Sequence, residues 1–166
     1  TQNISISFKI VDKENSYNYS QITEAIKNGN FGGEILIWQE ENNAYDHEIL
    51  LYNGISISNL DYEKERVSFL VSGDESSSGK TIAITVDSSI FREGYEILVE
   101  YDGEIIQIAD DINDILDPND DGSNPEYLVA IGSNGMQLLV SIPHFSEHSI
   151  TISNIAENVE AVGGVT

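Results

Sequence analysis

Asn53-Gly54, Asp102-Gly103 and Asn134-Gly135 constrain this chain more than anything else in it, because each sits between two runs of apolar, largely β-branched residues. Asn, Asp and Gly accept the positive φ angles that a two-residue hairpin turn demands, and most other residues do not. The first turn joins residues 48–52 to 55–58, the second 95–101 to 104–108, and the third 127–131 to 136–142. Three such turns predict antiparallel β structure.

The runs between turns carry the matching period. Ile4, Ile6, Phe8 and Ile10 alternate with polar neighbours, as do Val67, Phe69 and Val71, then Ile82, Ile84 and Val86, then Ile150 and Ile152. Alternation puts every second side chain on one face of a strand, and branched side chains suit that pleated surface. Two short helices are predicted. Ser20 caps a turn carrying Ile22, Ala25 and Ile26, with Lys27 near its end and Asn28-Gly29 as the stop. Residues 110–116 form the second, with acids at its start and Pro118 beyond its end. The pattern predicts an all-β, antiparallel β-sandwich, Greek-key-like, of about ten short strands with one or two short helices. Residues 1–155 read as one sandwich-like domain and 156–166 as a tail or linker. The Gly- and Ser-rich stretch 73–79 is the best internal boundary, either a loop within the domain or a hinge between two lobes. A start at Thr1 and an end in Gly163-Gly164-Val165-Thr166 read as a module cut from a longer protein.

Charge narrows the partners. The 166 residues hold 29 Asp and Glu against 7 Lys and Arg, a net charge of −22. The last basic residue is Arg92, so residues 93–166 carry fifteen acids and no Lys or Arg. Nucleic-acid binding needs clustered basic side chains and is not expected, and an anionic membrane surface would repel the chain. No apolar run approaches the length of a membrane span, so direct membrane insertion is not expected either. Cysteine is absent, which removes disulfides and Cys-based zinc sites. Repulsion on this scale works against the folded state unless divalent cations, salt or a basic partner offset it. The sequons Asn3-Ile4-Ser5 and Asn18-Tyr19-Ser20 are compatible with an extracellular setting.

The first candidate site is calcium. In the run 117–123, Asp117, Asn119 and Asp121 stand at alternate positions, Gly122 allows a sharp turn, and Ser123 offers a carbonyl. Calcium takes six to eight oxygens, and this spacing wraps several around one ion. The run matches the first half of an EF-hand loop but has Leu128 where the bidentate Glu belongs, and β sequence follows. A calcium loop within a β protein is therefore the expectation, with Asp114, Asp120 or Glu126 completing the shell. Asx turns in a polar loop would explain the same residues.

Other constellations are weaker. His144-Phe145-Ser146-Glu147-His148 spells an inverted zinc-peptidase pattern, but that pattern needs a helix, and Pro143 and the alternating run 149–153 predict turn and strand. Phe145 is then expected in the core with both imidazoles near the surface. His47, His144 and His148 are the only histidines, no G-x-S-x-G elbow is present, and Gly32-Gly33 lacks a phosphate-loop pattern. No catalytic residue is assigned. Trp38, Tyr45, Tyr52, Tyr62, Tyr95 and Tyr101 could instead form a stacking platform for a glycan, although Trp38 follows Ile35-Leu36-Ile37 and is expected in the core.

Residues 79–153 have a further texture. The segment 80–87, then Tyr101-Asp102-Gly103-Glu104, Ala109-Asp110-Asp111, Asp117-Pro118-Asn119-Asp120 and finally the run 140–152 from Val140-Ser141-Ile142-Pro143 onward follow one another in order. In that order they resemble the β-rich C-terminal ectodomain segment of archaeal, methanogen-type S-layer-associated or adhesin-like surface proteins. The resemblance implies an extracellular, membrane-anchored parent and a non-catalytic structural or adhesive role. Its partners would be other surface-protein domains or a glycan. A glycan-binding module using exposed tyrosines is the alternative, and a carboxylate- or His-dependent hydrolase the third reading.

Overall fold

A computed structural model describes residues 19–92, 94–119, 124–131 and 135–155. In chain order the elements are α1 (Tyr19–Lys27), β1 (Phe31–Gln39), β2 (Tyr45–Leu51), β3 (Ile55–Glu63), β4 (Arg66–Gly73), β5 (Lys80–Asp87), β6 (Glu96–Tyr101), β7 (Glu104–Ile105), β8 (Gln107–Ile108), α2 (Ile112–Ile115), β9 (Glu126–Ile131), β10 (Gly135–Ile142) and β11 (Glu147–Ile155). The strands form two sheets, one ordered β2-β1-β5-β10-β9-β8 and the other β3-β4-β11-β6-β7. This is the all-β sandwich that the alternation predicts. The expected strand at Ile4–Ile10, the Asn3 and Asn18 sequons and the tail 156–166 lie outside the described residues.

The sheets meet through alternate side chains. Ile35 and Ile37 of β1, Ile82, Ile84 and Val86 of β5, and Leu138, Val140 and Ile142 of β10 face Val67, Phe69 and Val71 of β4, Val99 of β6, and Ile150 and Ile152 of β11 in one buried cluster. The stretch 74–79 leads from β4 in one sheet to β5 in the other, and both strands contribute to this cluster. The larger sheet is buried on its other face too. There Ala83, Ala130 and Leu139 pack under Ile22 and Ala25 of α1, Ile115 of α2 and the adjoining Leu116. That second layer explains why β5 and β10 are buried at nearly every position.

One expectation is corrected, and the antiparallel sheets carry two parallel pairs. Asn53-Gly54 does not close a hairpin: β2 pairs with β1, β3 pairs with β4, and the turn carries the chain from one sheet to the other. Gly54 does adopt positive φ (67°), but the Asn53 amide is used elsewhere, donating to the Phe31 carbonyl at 2.5 Å. Nor is every pairing antiparallel. β1–β5 and β8–β9 run parallel: the chain visits the other sheet through β3 and β4 before β5, and passes through α2 before β9. Asp102-Gly103 behaves as read, with φ of 53° and 89° and β6 paired to β7 across it. β9 and β10 pair as predicted, while residues 132–134 of their turn lie outside the described residues.

The helices follow their stop signals more closely than their starts. α1 begins at Tyr19, so Ser20 lies inside it instead of capping it. It ends as predicted: Gly29 has φ 80°, its N–H donates to the Ile26 carbonyl, and the Asn30 N–H donates to that of Ala25. These two bonds make a Schellman cap on a left-handed glycine. α2 is a single turn whose N-cap is Asp111, accepting from the Asp114 N–H. Among the described residues, no helix is long and apolar enough to cross a membrane.

Candidate functional site

The structure describes half of the predicted calcium set. Asp117 is exposed, with its N–H donating to the Asp114 carbonyl. Asn119 Oδ1 accepts from the Gly79 N–H at 2.8 Å, tying this loop to the start of β5. Asp121 and Ser123, with Asp120 and Gly122, lie outside the described residues. Of the residues expected to complete a shell, Asp114 accepts from the Asp110 N–H at 2.9 Å and so helps to hold the α2 turn. Among the described residues, no three His, Asp or Glu side chains gather as a metal cluster.

The segment 144–148 is turn and strand, as its flanks predict, and Phe145 is buried in the core between the sheets. His148 is the structural surprise. Its Nδ1 lies 2.7 Å from Asp102 Oδ2 and its Nε2 lies 2.8 Å from the His144 carbonyl oxygen. The second carboxylate oxygen, Asp102 Oδ1, accepts from the Ser149 N–H at 2.8 Å, and the Asp102 N–H donates back to the Ser149 carbonyl. Tyr101 stacks on the imidazole with ring centroids 4.9 Å apart. Burial, and then the adjacent Asp102 carboxylate, pushes the Tyr101 phenol well above the ordinary tyrosine range. Asp102 and His148 thus fasten the β6–β7 turn to the start of β11.

The six aromatics do not assemble into one platform. Tyr45 and Tyr62 meet edge-on (89°) where β2 passes β3, and His47 Nδ1 lies 3.0 Å from Tyr62 Oη. Tyr52 packs against Phe31 and donates to the buried Glu34 carboxylate at 2.6 Å. Tyr95 lies under the Arg92 guanidinium. Trp38 is only half-buried and belongs to neither core cluster, its indole N–H donating to Glu40. The core expectation for Trp38 fails because β1 is buried on both faces only as far as Ile37, and Trp38 falls beyond that cover near the strand end.

One concavity was not singled out by sequence. A groove of about 600 Å³ opens where the short strands β7 and β8 part company, each the last strand of its sheet. Tyr101, Glu104, Ile105, Gln107, Pro125 and Glu126 line it. The adjacent Ile105-Ile106 was a readable signal: two neighbouring residues of an extended chain cannot both face one core. Ile106 packs inward and Ile105 is 65% exposed. No protein-family model matches the chain, and no curated protein matches it.

Proposed function

We propose that this chain is a non-catalytic structural or adhesive module of an extracellular, membrane-anchored surface protein, stabilised by calcium at the loop bearing Asp117, Asn119, Asp121 and Ser123. The observation that carries the non-catalytic part is the engagement of Asp102 and His148. An acid–histidine pair serves as a general base only if the distal ring nitrogen faces a nucleophile. Here that nitrogen meets the His144 carbonyl, and both Asp102 oxygens are occupied by fold-building donors. The pair reads as a clasp.

The calcium part is supported by the alternating oxygen ligands of 117–123 and by fifteen acids after Arg92 without a Lys or Arg. An ion held there would offset local repulsion, and the Asn119–Gly79 hydrogen bond would pass its effect to the junction of loop and sheet. Surface-protein domains or a glycan are the partner classes that the resemblance of 79–153 suggests. Calorimetric titration of calcium into metal-free protein tests the site. One binding event that disappears in the Asp117→Asn/Asp121→Asn double variant is expected; no heat beyond dilution overturns the calcium assignment.

A further inference from the structure

We propose that His148 is a pH-operated latch: only its doubly protonated ring completes the clasp that holds the β6–β7 turn to β11. Both ring nitrogens face oxygens that accept. Nδ1 lies 2.7 Å from the Asp102 carboxylate and Nε2 lies 2.8 Å from the His144 carbonyl oxygen. A neutral imidazole has one N–H and one lone pair, so it satisfies one of these oxygens and turns a lone pair on the other. The imidazolium has two N–H groups and satisfies both. Asp102 is kept as an acceptor from its other side, where Oδ1 takes the Ser149 N–H at 2.8 Å.

The surroundings suit a charged ring. The β6–β7 turn supplies the Asp102 carboxylate, and β6 supplies Tyr101, whose ring stacks on the imidazole. An aromatic face attracts a cation. β7 adds Glu104, paired with Tyr101, and β4 places Val71 opposite His148. On the ring's own segment His144 and Glu147 are exposed, and His144 turns its carbonyl to the ring. The His148 side chain is 15% exposed against 47% for Asp102, so the ring is the shielded partner. Protonation of His148 therefore holds the clasp, and one charge-assisted bond is lost as pH rises through the ring's titration. At the acid end, protonation of Asp102 removes the acceptor instead. The clasp thus holds in a window bounded by these two groups. Outside that window the turn loosens locally, because β6 and β11 remain joined by their own register.

NMR of the labelled chain tests this from about pH 5 to about pH 9, with EDTA present so that calcium plays no part. Ring nitrogen shifts follow the protonation of His148, and hydrogen-exchange protection factors of the Asp102 and Ser149 amides follow the clasp. Both amides are expected to lose about tenfold in protection with the same midpoint as the ring, while the Ile150 and Ile152 amides keep theirs. Asp102→Asn separates a latch from a merely structural contact. The new side-chain amide can donate to Nδ1 while its oxygen still accepts from Ser149, so a neutral ring with its proton on Nε2 completes the set. Protection in that variant should rise as the ring deprotonates. His148→Gln should remove the pH dependence altogether. Protection in the wild type that ignores the ring's titration, or that falls with the same midpoint in Asp102→Asn, overturns the proposal.

Discussion

Asn154 is fully buried at the end of β11. Its Oδ1 accepts from the Arg92 N–H at 2.6 Å, its Nδ2 donates to the Arg92 carbonyl at 3.2 Å, and its own N–H donates to Glu65. One amide thereby fixes two connections against the sheet. Asn154→Ala strands the part-buried backbone donor and acceptor of Arg92 and should lower stability by about 1–3 kcal/mol in urea denaturation; a loss within error would mean that water replaces the amide. Tyrosine ionisation gives a second residue-scale prediction. Burial first, then Asp102, Glu96 and Asp46 respectively, raises the phenols of Tyr101, Tyr127 and Tyr62. A raised folded pKa means stability is fully present below the unfolded value near 10 and is lost as pH climbs through the folded values. Absorbance titration of the native protein should show a delayed tyrosinate phase, which unfolding in urea brings back to the ordinary range. A single native transition at the ordinary value would contradict the burial of these rings.

At the scale of elements, much was readable and the failures are physical. Period-two alternation located β4, β5 and β11, and Asp102-Gly103 located a hairpin, because both signals are local. Asn53-Gly54 misled because positive φ specifies a sharp turn but not which sheet receives the next strand. That choice depends on the shared core, which is non-local. The parallel β1–β5 pair was invisible for the same reason. Within the candidate sites, Asp117 and Asn119 are nominated by spacing alone, whereas the Asp102–His148 clasp joins residues 46 positions apart and leaves no spacing to read. Gly79 is another such junction. A Cβ there would stand 3.0 Å from both Asn119 Oδ1 and the Ile142 carbonyl oxygen and 3.1 Å from the Pro118 carbonyl oxygen. Two of those neighbours are backbone and yield little, so Gly79→Ala should destabilise by roughly 1–3 kcal/mol. Melting temperatures of the variant and wild type check this; equal values would show that the 117–119 loop is not pressed against β5.

For the whole molecule the dominant quantity is the net charge of −22. Such a chain repels itself, and screening by simple salt should raise its stability steadily through the range where the Debye length falls below about 10 Å. A melting temperature insensitive to sodium chloride would mean that the charges already lie too far apart to matter. Specific cation binding is a different effect, because it follows mass action and not ionic strength. At about 100 times Kd it contributes about 2.7 kcal/mol, which for a chain of this length corresponds to roughly 5–10 °C in Tm. Thermal melts in calcium, in EDTA and in sodium chloride of matched ionic strength, on wild type and on Asp117→Asn/Asp121→Asn, therefore test most directly whether this is a calcium-stabilised module. Calcium should raise Tm well beyond the matched salt, EDTA should abolish the increment, and the double variant should show only the salt response. Equal shifts in calcium and matched salt, or an undiminished calcium shift in the double variant, would contradict it.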